Sequence, residues 1–108
     1  MPQELIALVT CPKVIAEKMA VSLVEAQVAA CVNIIAEVTS VYQWEDNIEK
    51  EPESLLIVKT NDSCWKAFEK KVNELHPYDV PEIISVSIEK GNKAYLDWLN
   101  QSVAKAKT

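Results

Sequence analysis

Apolar positions fall into two kinds of run along this chain. Leu5-Ile6-Ala7-Leu8-Val9 and Leu55-Leu56-Ile57-Val58 are unbroken, the second closed off by Pro52 upstream and Asn61-Asp62 downstream. Runs that short, with no polar alternation, predict strands buried on both faces. Val32 to Trp44 and Ile83 to Ile88 alternate in part, the pattern of outer strands with one wetter side. In the longer of these, Val32, Ile34, Ala36, Val38, Tyr42 and Trp44 are expected on one face. Asn33, Glu37, Thr39, Gln43 and Glu45 take the other, with Ile35 and Val41 as exceptions. Glu45-Asp46-Asn47 predicts a hairpin turn, since Asp and Asn tolerate left-handed backbone, and the acidic run from Glu45 to Glu53 reads as a solvated hairpin arm.

Between the strands the period changes to that of a helix. After Thr10-Cys11-Pro12, with proline suited to the first helical position, Ala16, Met19, Ala20, Leu23 and Gln27 follow one face. Lys13, Glu17, Lys18, Ser22 and Glu25 supply the wet side. Trp65, Phe68, Val72 and Leu75 form a second buried stripe, capped by Asn61, Asp62 or Ser63. That helix must stop before Pro77. Gly91-Asn92 predicts a turn and cap for a short C-terminal helix carrying Tyr95, Leu96, Leu99 and Val103, and Lys105 to Thr108 are expected to fray.

The order is strand, helix, strand, strand, helix, strand and an extra helix. Two split βαβ units with right-handed crossovers put both main helices on one face of a four-stranded antiparallel sheet, an α+β architecture. The first and third strands become the central pair, in agreement with the two unbroken apolar runs. Two helices cover only one face, however. Ile6, Leu8, Leu55, Ile57 and neighbours are left on the far side, where each wet side chain forgoes roughly 1.5 to 3 kcal/mol. The short third helix covers part of that patch. Self-association is expected to cover the rest.

Composition narrows the function. The chain of 108 residues, 49% apolar, predicts one domain over residues 1–108. The formal charge is −5, all eleven basic residues are lysines, and there is no arginine, which argues against nucleic acid as a partner. A single glycine, Gly91, excludes the usual glycine-rich phosphate cradles. The first apolar run is too short for a signal-peptide core or a bilayer span, so no membrane partner is expected. Three scattered cysteines, with no Cys-x-x-Cys, predict reduced thiols in a cytoplasmic protein.

Topology then sorts the polar side chains. Cys11, the hairpin tip with Tyr42, Trp44 and Glu45, and the connector with His76, Tyr78, Asp79 and Glu82 belong to one end of the sheet. Cys31 and Cys64 belong to the other, as small core fillers. Thiolate with imidazole suits copper or zinc, so Cys11 and His76 are the best soft-metal pair, although two ligands make a weak site. A helix start next to Cys11 is expected to lower its thiol pKa. Tyr42, Trp44 and Tyr78 suit either a stacking wall for a ligand or packing at a subunit seam.

Thr10-Cys11-Pro12, Ala29-Ala30-Cys31-Val32-Asn33-Ile34, Thr39-Ser40-Val41-Tyr42-Gln43-Trp44-Glu45, Lys59-Thr60, His76-Pro77-Tyr78-Asp79-Val80-Pro81-Glu82-Ile83 and Gly91-Asn92 through Trp98-Leu99 occur in this order. Together they resemble the CutA divalent-cation-tolerance family over nearly the whole chain. The resemblance implies a ferredoxin-like subunit in a homotrimer similar to the PII signalling proteins. It implies binding of divalent transition metals such as copper(II), with His76 the matching ligand and Cys11 the nearest thiol. It also implies a cleft between subunits holding Cys31, Tyr42, Trp44, Lys59, Tyr78 and Glu82. Some members carry paired histidines where this chain has Leu75-His76, and a strand-one thiol where it has Val9. Ala36-Glu37 stands where Pro-Gly is usual. The alternative function is a PII-like module whose cleft takes a small effector or a loop of an unknown protein partner. Catalysis is not expected, because acylphosphatases of this fold use an arginine cradle that this chain lacks.

Overall fold

A computed structural model describes residues 2–103. Lys105 to Thr108, expected to fray, lie outside the described residues. The elements are β1 (Glu4–Cys11), α1 (Lys13–Glu25), β2 (Cys31–Trp44), β3 (Asn47–Asn61), a 3-10 turn (Asp62–Cys64), α2 (Trp65–Leu75), β4 (Ile83–Ser87) and α3 (Lys93–Ser102). The strands form one antiparallel sheet in the order β2-β3-β1-β4, so the two unbroken apolar runs are its central pair, as their composition predicts.

Alternation along β1 divides the sheet into two faces. Leu5, Ala7, Val9 and Cys11 are buried, whereas Ile6, Leu8 and Thr10 are half-buried. Val9 lies opposite Leu56 and Ala7 opposite Val58, and this face meets Met19 and Leu23 of α1 and Phe68 and Val72 of α2 in the main core. Each of these larger side chains contributes about 1.5 to 3 kcal/mol by leaving water.

Both main helices follow their predicted stripes, with local differences. α1 buries Ala16, Met19, Ala20 and Leu23 but ends at Glu25, so Gln27 falls beyond the stripe. Gln27 takes a left-handed conformation, φ 61°. The Gln27 N–H donates to the Val24 carbonyl (3.0 Å) and the Val28 N–H to that of Leu23 (3.2 Å), the pair of bonds that closes a helix on an αL residue. Asn61, one of the expected caps, closes the 3-10 turn that leads into α2, its side chain accepting from the Ser63 N–H at 3.1 Å; α2 itself starts after Cys64 without a side-chain cap and stops at Leu75 before Pro77. The hairpin turn sits on Glu45 (φ 48°) and Asp46 (φ 70°), the two left-handed residues that a two-residue hairpin demands.

One predicted pattern is broken by the backbone. Ile35 pairs with Leu55 and Val38 with Glu53, so Ala36 and Glu37 together oppose Ser54 in a bulge. The Ser54 hydroxyl donates to the Ala36 carbonyl at 2.7 Å. An extra residue reverses the alternation. Tyr42 and Trp44, expected on the face of Val32 and Ile34, therefore sit on the opposite face with Ile35, Leu55 and Ile57.

That face is only partly covered. Leu99 on α3 and Val103 just past its end join Ala30 and Cys64 in a small second core. Asn100 accepts from Asn61 (2.9 Å) and donates to Glu4 (2.8 Å), which pins α3 to the end of the sheet where Glu4 and Asn61 pair. Tyr95, expected on the inner stripe of α3, is 40% exposed. Beyond α3, Ile84 is 53%, Val86 59% and Ile35 42% exposed.

Candidate functional site

The connector after α2 returns the chain to the end of β1, and His76 is its fixed point. The side chain is 7% exposed. Nε2 lies 2.7 Å from the Thr10 carbonyl, and Nδ1 accepts the Tyr78 backbone N–H at 3.2 Å. A carbonyl only accepts, so Nε2 carries the proton and His76 is the neutral Nε2–H tautomer. Its ring lies 4.6 Å from that of Tyr78 at 56°.

Tyr78 links this histidine to the hairpin arm. The Tyr78 hydroxyl donates to Glu53 Oε2 at 3.1 Å. Glu53 is 6% exposed, although it closes an acidic run expected to be solvated. Sequence reading missed it; the available signal is its parity with Leu55 and Ile57, which puts it on the open face. Burial, the bond to Glu53 and the charges of Glu53 and Glu51 push the Tyr78 hydroxyl up to about 12. The Tyr42 hydroxyl is raised by desolvation and then by its bond to Glu51 and the charges of Glu51, Glu49 and Glu53. His76, Tyr78 and Glu53 thus form one hydrogen-bonded chain, with Tyr42 and Glu51 close enough to act on it through charge.

Cys11 stands apart from it. It is the last residue of β1, fully buried on the helix side opposite Ser54. Burial, and then the Glu53 charge, push its thiol up to about 11, the reverse of the depression expected from a neighbouring helix start. Pro12 stands between it and the first helical residue, Lys13, and no side chain caps that helix. Glu82, just before β4, is exposed. Cys31 is half-buried beside Tyr95, opposite Lys59, whose ammonium donates to Asn33 Oδ1. Cys64 is buried, its sulfur 2.9 Å from Thr60 Oγ1. Lys59 and Glu49, the partner of Tyr42, are separated by about 33 Å of extended strand. Within one chain, Cys31 and Lys59 therefore lie far along the sheet from Tyr42 and Trp44.

For a metal, the fit is partial. Among the described residues no three His, Cys, Asp or Glu side chains are gathered as ligands. His76 has one basic nitrogen, Nδ1, held by an N–H of the irregular connector, and the buried Cys11 thiol stays protonated at neutral pH. The chain offers one imidazole donor. Among the described residues, no helix is long and apolar enough to cross a membrane.

Residues 5–102 match the sequence pattern described as CutA1 divalent ion tolerance protein. The chain belongs to that family. It is 43% identical to protein CutA of Mus musculus over 88% of its own length, but it spans only 54% of the mouse protein. The CutA1 crystal structure from Oryza sativa is 40% identical, with a TM-score of 0.93 over 97% of this chain and 96% of the other. The apo structure titled PII-like protein CutA from Nostoc sp. PCC 7120 is 30% identical, with a TM-score of 0.86 over 95% and 97%. Membership in the CutA1 family confirms the resemblance carried by the motifs around Cys31, Tyr42 and His76 and the ferredoxin-like subunit it implied.

Proposed function

We propose that the protein is a homotrimeric, CutA-type divalent cation tolerance protein that binds divalent transition metals such as copper(II), acting in the cytoplasm and not as an enzyme. Family membership supports the link to divalent cations. The observation that carries the assembly is the open face, where Ile84, Val86 and Ile35 are half exposed beside Leu55 and Ile57. Copies packed through this face also bring Tyr42 and Trp44 into the seam.

His76 is the ligand we assign. Its Nδ1 lone pair is taken by the Tyr78 N–H, on a connector without regular structure, so a cation gains Nδ1 by moving Tyr78. Such a shift pulls on the Tyr78 bond to Glu53 and reports metal binding to the hairpin arm. Further donors come from neighbouring copies, with Cys11 recruited only if the metal displaces its proton. Calorimetric titration of copper(II) against the wild type and His76→Ala tests this. The variant should bind at least about tenfold more weakly, about 1.4 kcal/mol; equal, weak affinities exclude a His76 site.

The likeness to a PII-like CutA favours a second reading, a regulatory module with an effector or partner loop in the inter-subunit cleft. Cys31 with Lys59, and Tyr42 with Trp44, Tyr78 and Glu82, occupy different regions of one subunit, so only neighbouring copies join them in one cleft. A thermal-shift screen of metabolites against metals separates the readings, since the physiological ligand raises the melting point by mass action.

A further inference from the structure

Across the middle of the open face, two rows of side chains run from strand to strand. Cys31, Lys59, Ile6 and Val86 stand in one, and Asn33, Ile57, Leu8 and Ile84 in the next. Lys59 is the single charged side chain in the two rows, and it is half-buried. Lys50, the other lysine of β3, falls on the opposite face by strand parity.

No carboxylate answers this charge. The ion pairs among the described residues are Lys13 with Glu37 and Lys93 with Asp97. Glu4, in the row beyond Lys59, is bonded to Asn100. Glu53, six residues back along β3, is about 20 Å of extended strand away and is bonded to Tyr78. Covering this face with copies of the chain takes the Lys59 ammonium out of water, where an unanswered charge is costly.

The side chains around Lys59 are donors, the chemistry that an oxyanion needs. An ammonium only donates, so it is the Asn33 oxygen that meets Lys59, and the Asn33 NH2 group is left for another partner. The lysine keeps further N–H groups of its own. Tyr95 on α3 stands beside the Cys31 thiol in the same row as Lys59. The chain's net charge of −5 gives anions no general attraction, so selection of one rests on these residues.

We propose that Lys59 is the charge that selects the ligand of the inter-subunit cleft, and that this ligand is a small molecule bearing a carboxylate or phosphate group. The group docks on the Lys59 ammonium and Asn33 Nδ2, with Tyr95 on its α3 side, and the apolar remainder of the molecule lies against Ile57 and Ile6. Asn33 is a positioning residue that holds the ammonium before the ligand arrives. The proposal rests on the effector reading of the cleft and is independent of copper affinity.

The test uses the full chain with benzoate, phenyl phosphate and, as their uncharged analogue, benzyl alcohol, at constant ionic strength. One or both anions should bind saturably in calorimetry and shift the Asn33 side-chain amide and the Cys31, Ile57 and Lys59 backbone amides in heteronuclear NMR; the tighter anion names the group. Benzyl alcohol should bind at least about tenfold more weakly. Lys59→Gln should weaken the anion about tenfold or more, Lys59→Arg should retain it, and Asn33→Ala should fall between. Equal binding of benzyl alcohol, equal binding by Lys59→Gln, shifts that bypass Asn33, or no saturation with either anion at millimolar concentration overturns the proposal. So does a smaller species for Lys59→Gln in sedimentation, which assigns the counter-charge to a carboxylate of a neighbouring copy. Anion binding that survives in a Val86→Asp monomer upholds Lys59 and overturns the shared cleft, so the two readings fail separately.

Discussion

Cys11 shows how far a residue's neighbours in sequence mislead about its chemistry. Beside a proline that opens a helix, it invites reading as an activated thiol, yet strand alternation turns it into the core opposite Ser54. Burial and Glu53 raise its pKa from 9.0 to about 11. The sign follows directly: the fold holds a proton that the unfolded chain releases first. Stability is therefore complete below 9.0 and declines as pH climbs toward about 11. Urea midpoints at about pH 8 and about pH 10 should converge for Cys11→Ala relative to the wild type; parallel losses would show that the thiol does not carry the slope. His76 was legible as the best candidate donor because it is the sole imidazole. Its tautomer was not, because the Thr10 carbonyl that sets it lies on another element.

At the scale of elements, helix stripes and strand runs were legible because burial repeats with a fixed period. Elements end, or change face, where the backbone departs from that period. Gln27 closes α1 in a left-handed conformation that favours glycine. Gln27→Gly is expected to stabilise the fold by about 0.5 to 1 kcal/mol in urea unfolding, relief of the Cβ clash exceeding the added entropy of the unfolded chain. A loss of stability would mean that the Gln27 side chain does something the backbone does not reveal. The β2 bulge has the larger consequence, since it moves Tyr42 and Trp44 from the helix side to the open face. Deleting Glu37 restores strict alternation and should move both aromatics off that face. Sedimentation velocity should then show a smaller species than the wild type; an unchanged assembly would separate the bulge from association.

The whole molecule has a covered face and an uncovered one. If self-association buries the second, Val86→Asp should yield a monomer near 12.1 kDa. A charged side chain at a packed apolar interface costs several kcal/mol, about enough to shift association by a thousandfold. An unchanged mass at micromolar concentration would put the interface elsewhere. By itself the sequence determined the element order, the central pair β1 and β3, the two-helix layer and the existence of a bare apolar face, because each depends on periodicity and on how many faces two helices can cover. The side that Tyr42 and Trp44 take, the burial of Glu53 against Tyr78, the hydrogen-bond partners of the His76 ring and the burial that holds the Cys11 thiol protonated were decided by tertiary structure alone. Those outcomes depend on one extra backbone residue and on contacts between segments far apart in the chain, and local residue patterns carry no record of either.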